Sequence, residues 1–225
     1  MPEQLRIDIN DHQSVSGNLY KSGSRDRAGV TLILGHGAGS GQMSSFMVNF
    51  SNELASRGID TVTFNFLYTE LGRGAPDRND ALEACYRAVI ESVRKHSNLK
   101  NNKLAIGGKS MGGRIASQVA ASGELADIAG LVFLGYPLHP PGNPEKLRSA
   151  HLPNIKSPML FMQGSRDTFG TEAELRPIVK KLRGRATLYI VEGGDHSLKV
   201  SRNVEKQADA YKTIQDEIAS WLKKL

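Results

Sequence analysis

Short apolar segments alternate with segments of helical periodicity along most of this chain, and no other feature restricts its fold as strongly. In the first helical segment, Phe46, Phe50 and Leu54 recur every four residues and Gly58 ends the pattern. Strand, helix, strand, helix in this order predicts a doubly wound α/β fold, a mostly parallel sheet with helices on both faces. The expected strands, most of them apolar nearly throughout as in buried parallel sheets, are residues 30–34, 61–67, 103–107, 130–134, 158–162 and 187–191.

Later helices are expected where apolar residues share one helix face. The residues that indicate them are Leu82, Cys85, Val89 and Val93, then Ile115, Val119 and Ala120, then Leu175, Ile178, Val179 and Leu182, and last Tyr211, Ile214, Ile218, Trp221 and Leu222.

Two regions depart from the alternation. Near the N-terminus, residues 5–9 and 15–20 alternate apolar and polar side chains around a polar turn, which predicts an antiparallel β-hairpin. The segment 139–155 contains four prolines and is expected to be an irregular loop with one short helical turn near Lys146. No insertion is large enough for a lid domain, so we expect an open site at the carboxyl ends of the strands.

Length and composition are those of an ordinary globular domain. The 225 residues, 39% hydrophobic and 23% charged, fit a single domain spanning 1–225. Cys85 is the only cysteine, which excludes an internal disulfide. The first residues are charged, and no apolar run approaches the roughly 20 residues of a membrane helix. We therefore expect a soluble cytoplasmic protein with no membrane partner.

The net charge of +6 leaves two interpretations open, an acidic or nucleic-acid partner and a solvated basic face. The densest basic cluster, residues 180–185, falls on an expected surface helix and its exit. No aromatic side chains interleave with it as stacking platforms for bases. The solvated face is favoured, and no nucleic-acid partner is expected; the pattern does not indicate an oligomeric state.

A G-x-S-x-G motif at residues 108–112 follows one expected strand and precedes one expected helix. A turn this tight needs its glycines, and it holds the central Ser110 in a strained conformation with its hydroxyl clear of the sheet. Two alternatives are a plain glycine-rich turn and the end of a phosphate-binding loop. The second requires glycine at position 103, which is Lys103. The flanking elements favour Ser110 as a nucleophile.

A serine nucleophile needs a base, and a histidine base needs a carboxylate to hold its tautomer. His196 comes directly after the last expected strand, and Asp167 follows the strand before it. Asp195 is the rival carboxylate. Side chains of adjacent residues generally diverge, so Asp195 is poorly placed to orient its own neighbour. We therefore predict a triad of Ser110, Asp167 and His196.

Negative charge on a substrate oxygen needs N–H donors to stabilise it. One donor is expected from Met111, the residue after the nucleophile. The second is expected from the glycine-rich loop 35–41, where we choose Ala38 first and Gly39 second. The same loop misses the glycine spacing of a dinucleotide-binding fingerprint. His36 within it is expected to brace the loop by hydrogen bonding.

Four further residues are candidates for a substrate pocket. Tyr136 and His139 follow the strand 130–134, and either line the pocket or belong to a proline-braced turn. Lys109 and Arg73 either clamp an acidic substrate or are solvated charges, and the same two alternatives apply to a fifth residue, Arg166. No cluster of histidine, cysteine and acidic residues has metal-ligand spacing, so we expect neither a metal nor a cofactor.

Together these motifs resemble the α/β-hydrolase superfamily in its dienelactone-hydrolase-like branch, over residues 28–222. The motifs that carry the resemblance are residues 35–39, 107–113, 135–140 and 193–196. They are also similar to a narrower group that includes testis-expressed hydrolase-like proteins and a subunit of a chromatin acetyltransferase complex. The resemblance implies the α/β-hydrolase fold and its Ser–Asp–His order. Dienelactone hydrolases use a cysteine where this chain has Ser110, so generic esterase chemistry is implied.

We therefore predict a serine hydrolase that cleaves a carboxylic ester or thioester of a small molecule through an acyl-enzyme intermediate. Acyl transfer or perhydrolysis with the same triad is an alternative, since only the acceptor differs. The chromatin-complex relative implies another alternative, a binding or scaffold module that keeps the fold with little turnover.

Overall fold

The computed structural model describes residues 1–23, 25, 27–125 and 127–225. Within these ranges the chain forms an eight-stranded sheet in the order β1-β2-β4-β3-β5-β6-β7-β8. The strands are β1 Glu3–Asn10, β2 Gln13–Tyr20, β3 Val30–Gly35, β4 Asp60–Phe64, β5 Lys103–Lys109, β6 Ile128–Leu134, β7 Met159–Gly164 and β8 Ala186–Val191. β2 pairs antiparallel with both β1 and β4, and the remaining pairs are parallel.

Helices follow most of the parallel strands, as the apolar spacing predicts. They are α1 Ser45–Ser56, α2 Leu67–Glu70, α3 Asn79–Lys95, α4 Met111–Ala121, α5 Glu172–Lys181 and α6 Val204–Leu222, with a 3₁₀ turn at Leu152–Asn154. None of the described helices is both long and apolar enough to cross a membrane.

Each face of the sheet has its own apolar core, because strand side chains alternate between faces. In β3, Ile33 packs with α3 and α4 on one face, whereas Leu32 and Leu34 pack with α1 and α6 on the other. This arrangement confirms the doubly wound α/β fold and the N-terminal antiparallel hairpin. It also brings the carboxyl ends of the parallel strands to one edge of the sheet, where ligands bind in such folds.

The strand expected at 61–67 is shorter than the apolar run suggests. Its pairing with β3 stops where Phe64 meets Gly35. Beyond this point the Phe66 N–H donates to a ring nitrogen of His36 at 3.1 Å, and α2 begins at Leu67. The end of the run is apolar because it is buried, but its main chain no longer pairs with β3. The Asn65 N–H donates to the Ser16 carbonyl oxygen on β2, and the Phe66 N–H donates to His36.

The segment 139–155 is irregular as expected, but its helical turn is not near Lys146. The Lys146 N–H donates to the carbonyl oxygen of Asn143 at 3.1 Å, which forms a single isolated turn. The helical turn of this segment is Leu152–Asn154. The prolines lack N–H donors, which prevents helix formation earlier in the segment. In the described ranges this segment remains a loop, and no lid domain is inserted.

Asp60 joins three chain segments at the amino-terminal edge of the parallel strands. Its side chain is 1% exposed. The carboxylate accepts hydrogen bonds from the N–H and hydroxyl of Ser22, from Arg27 Nε and from Asn102 Nδ2, at 2.8–2.9 Å. Burial alone raises the pKa of Asp60, but the hydrogen bonds from Ser22, Arg27 and Asn102 outweigh it and lower the pKa.

We predict that Asp60→Asn lowers the free energy of unfolding by about 2–4 kcal/mol at neutral pH, because charge-assisted bonds are lost. A lowered pKa in the folded state gives stability above the unfolded value of about 3.9. That stability is lost as the pH falls through the folded value. Urea unfolding from pH 7 to pH 2 should therefore show the two curves converging in acid. A constant difference across this range would contradict the role of the charge.

Candidate active site

Ser110 occupies the tight turn between β5 and α4. It is the N-cap of α4, with φ 50° and ψ −115°. Such a positive φ is rare for a residue with a side chain, and strained backbone of this kind costs on the order of 1–3 kcal/mol. The Ser110 N–H donates to the carbonyl oxygen of Leu134 on β6 at 3.1 Å, which fixes the turn against the sheet. The hydroxyl therefore lies at the helix N-terminus, where the dipole favours negative charge.

Close packing beneath this turn explains the second glycine of the motif. A Cβ on Gly112 would lie 2.1 Å from the carbonyl oxygen of Gly35 at the end of β3. Only glycine lets α4 begin directly against that strand. The contact brings Ser110 beside the glycine-rich loop that follows β3.

His196 reaches Ser110 from the loop after β8. Its Nε2 lies 2.8 Å from Ser110 Oγ. The ring is stacked on Phe169, with centroids 4.0 Å apart and planes inclined by 22°. Phe169 therefore limits the rotation of the imidazole and keeps it over the hydroxyl.

Asp167 supports the other side of the imidazole. It is fully buried, and its Oδ2 lies 2.8 Å from His196 Nδ1. The same oxygen accepts from Gln163 Nε2 at 2.8 Å, and Oδ1 accepts from the Phe169 N–H at 2.8 Å. A carboxylate that only accepts fixes the histidine as the Nδ1–H tautomer. Nε2 is then free to accept the Ser110 hydroxyl proton.

The rival Asp195 has a different role. Its Oδ1 accepts hydrogen bonds from the N–H groups of Ser197 at 2.7 Å and Lys199 at 2.9 Å. This shapes the loop that carries His196. The structure thus brings Asp167, and not Asp195, to the imidazole.

Main-chain contacts hold the loops of Asp167 and His196 together. The Arg166 N–H donates to the carbonyl oxygen of Gly194 at 2.9 Å. A Cβ on Gly135 would meet the His196 carbonyl oxygen at 2.5 Å, so the loop after β6 also packs tightly here. Gln163 forms two further hydrogen bonds, each 2.8 Å long. Its Nε2 donates to the Gly170 carbonyl oxygen, and its Oε1 accepts from the Tyr136 N–H. Three loops are therefore fixed around His196.

A pocket of about 220 Å³ opens beside the serine, and we call it the Ser110 pocket. It is small and is lined by Ala38, Asn79, Met111, Arg114, Arg148 and Phe169, among others. Of the expected oxyanion donors, Ala38 and Met111 line it and Gly39 does not. Met111 is the first residue of α4, where N–H groups have no acceptor within the helix.

His36 braces the loop that carries Ala38. Its Nδ1 lies 2.9 Å from the Gly37 carbonyl oxygen, and its Nε2 accepts from the Phe66 N–H. The ring is fully buried, and burial lowers the pKa of His36. A neutral ring with both nitrogens engaged matches the bracing role expected for it.

The four side chains expected in the substrate pocket lie outside the Ser110 pocket. Tyr136 is fully buried, and its hydroxyl donates to the Arg148 carbonyl oxygen. His139 bonds to Glu174, and Arg73 pairs with Asp77 at 2.8 Å. In each case a local partner holds the side chain away from Ser110.

Lys109 points to the opposite side of the turn. Its Nζ lies 3.3 Å from the His196 carbonyl oxygen and 5.6 Å from the Phe46 ring centroid. It lines a cavity of about 620 Å³ between α1 and α6 whose lining does not include Ser110, Asp167 or His196. This cavity is larger than the Ser110 pocket, so cavity volume alone does not identify the candidate active site.

The sequence patterns missed four residues here: Gln163, Phe169, Arg114 and Arg148. Gln163 carried a usable signal, because a polar residue at the end of a buried strand must find partners. Arg114 also carried one, since it stands one helical turn after Ser110 on α4. Phe169 and Arg148 lie in loops, and no periodicity pointed to them.

Comparisons with known proteins agree with this architecture. A family model described as an alpha/beta hydrolase domain matches residues 28–223. The chain is similar to a serine hydrolase without a lid from Xanthomonas campestris, with TM-score 0.76 and 19% identity, covering 98% of this chain and 95% of that one. It is similar to a dienelactone hydrolase from Anabaena variabilis, with TM-score 0.76 and 18% identity, covering 98% and 96%. An esterase domain from a Rhodothermus marinus protein gives TM-score 0.74 and 13% identity, covering 100% and 98%.

Proposed function

The chain belongs to the alpha/beta hydrolase domain family, and from this premise we propose that it is a serine hydrolase that cleaves a carboxylic ester or thioester. One observation carries the proposal. Ser110 Oγ, the His196 ring and the Asp167 carboxylate form a continuous hydrogen-bonded chain with both links at 2.8 Å. This is the arrangement that makes a serine hydroxyl nucleophilic.

In the proposed first half-reaction, Ser110 Oγ attacks the acyl carbon while His196 Nε2 takes its proton. Asp167 stabilises the resulting imidazolium. The N–H groups of Met111 and Ala38 stabilise the negative oxygen of the tetrahedral intermediate. When the intermediate collapses, His196 protonates the departing alkoxide or thiolate. The acyl group then remains on Ser110.

In the second half-reaction, His196 takes a proton from water, which attacks the acyl carbon. Collapse returns the proton to Ser110 Oγ and releases the carboxylic acid. No redox step occurs and no cofactor is consumed. The small volume of the Ser110 pocket supports a small acyl or alcohol group.

The test is covalent labelling by a fluorophosphonate probe, with the modified residue located by mass spectrometry. We expect the wild type to be labelled at Ser110 and Ser110→Ala to remain unlabelled. Ser197→Ala is the matched control, because Ser197 adjoins His196 but lines the cavity between α1 and α6. It should be labelled like the wild type.

A second readout is a burst of p-nitrophenol from p-nitrophenyl acetate, with an amplitude near one equivalent per protein. Equal slow hydrolysis by the folded wild type and Ser110→Ala, without labelling, would refute the proposal. That result would favour a scaffold module with the same fold.

A further inference from the structure

Two arginines share the Ser110 pocket with the nucleophile. Arg114 extends from α4, one helical turn after Ser110, and Arg148 comes from the loop 139–155. They belong to segments far apart in sequence, so the fold brings both cations to the same small space.

Neither guanidinium forms an ion pair within the described part of the chain. Arg114 donates to the neutral oxygens of Asn79 at 3.2–3.3 Å and Gln118 at 3.0 Å. The Arg148 side chain has no hydrogen-bond partner among the described residues. Burial, and then the charge of Arg148, lower the pKa of Arg114. Arginine does not lose its proton in proteins, so this lowering does not remove the charge of Arg114.

The carboxylate that lines the pocket does not offset this charge. Asp77 is paired with Arg73 at 2.8 Å. Glu83 of α3, whose charge opposes the lowering of the Arg114 pKa but is the last of its causes, lies 3.5 Å from Arg87. Two unpaired cations that repel each other remain beside the nucleophile. Placing like charges together without an anion is unfavourable, and a bound anion relieves the repulsion.

We propose that Arg114 and Arg148 form a binding subsite for a carboxylate on the substrate, so that the enzyme acts on small anionic esters. This rests on the proposed function. A guanidinium offers a planar fork of donors that matches a carboxylate, and two such forks fix its position. The subsite is part of a pocket of about 220 Å³, so an anion there belongs to the same molecule as the ester bond.

The experiment compares esters that differ only in charge. The first pair, 4-acetoxybenzoate and 4-acetoxybenzamide, tests a carboxylate in the alcohol part. The second pair, monophenyl adipate and phenyl adipamate, tests one in the acyl part. In the wild type we expect kcat/KM to favour the anion at least about tenfold in one pair, the range of a charge-assisted bond.

Arg148→Gln and Arg114→Gln should each bring that ratio towards one. Arg176→Gln is the control; Arg176 pairs with Glu172 on the exposed face of α5 and should keep the wild-type ratio. Arg114 also bonds to Asn79 and Gln118, so Arg148→Gln keeps the test valid if Arg114→Gln folds poorly. Equal kcat/KM values within both pairs would overturn the subsite while leaving the hydrolase intact.

Failure of the proposed function gives a different result. If no ester is cleaved, titration calorimetry with 4-hydroxybenzoate tests the subsite on its own. The neutral 4-hydroxybenzamide is the uncharged control. The subsite predicts that the benzoate binds the wild type at least tenfold more tightly than it binds Arg148→Gln. Equal binding to both proteins would overturn the subsite on its own.

Discussion

Replacing Asp167 with asparagine is expected to lower kcat for ester hydrolysis about 10⁴-fold, the size of effect seen when a triad loses its acid. An asparagine amide can donate to His196 Nδ1, which would move the imidazole proton to Nε2. That tautomer cannot accept the proton of Ser110. The overall shape of the side chain is kept, so the loss arises from the proton position.

Asp195→Asn is the matched control for this experiment. The Asp195 Oδ1 accepts from two main-chain N–H groups, and an asparagine oxygen can do the same. We expect its kcat within about threefold of the wild type, because no tautomer changes. Steady-state kinetics on p-nitrophenyl acetate, with circular dichroism to check folding, measures both variants. A larger loss in Asp195→Asn than in Asp167→Asn would reverse the assignment of the acid.

The sequence located the three side chains of the hydrogen-bonded chain because each lies in the loop or turn that follows a strand with a strong apolar signal. In a parallel sheet the ends of such strands meet at one edge, so sequence order converts into spatial proximity. Ser110, Asp167 and His196 are brought together by this rule. Their catalytic role stays a prediction until the labelling experiment is made.

The substrate side of the site could not be predicted in the same way. Lys109, Tyr136 and His139 stand at strand ends too, but local partners direct each side chain elsewhere. Arg148 reaches the pocket through an irregular loop, whose course depends on tertiary contacts. Periodicity defines which face of an element is buried, and it contains no information about where a loop side chain points.

The position of Ser110 also depends on a contact that contains no side chain at all. Gly112→Ala would place a Cβ 2.1 Å from the carbonyl oxygen and 2.3 Å from the carbonyl carbon of Gly35. These atoms belong to the last residue of β3, which also pairs with Gly108 of β5. They cannot yield as a flexible side chain would, so α4 must move away from the sheet.

We expect Gly112→Ala to lower the free energy of unfolding by at least about 3 kcal/mol, at the upper end for an overpacked site. The control Gly74→Ala, where a Cβ meets no atom within 4 Å, should stay within about 0.5 kcal/mol of the wild type. Urea unfolding measures both. Because Ser110 is the N-cap of α4, fluorophosphonate labelling of folded Gly112→Ala should also slow markedly. Wild-type stability and labelling in this variant would show that the close approach of α4 to β3 does not set the position of the serine.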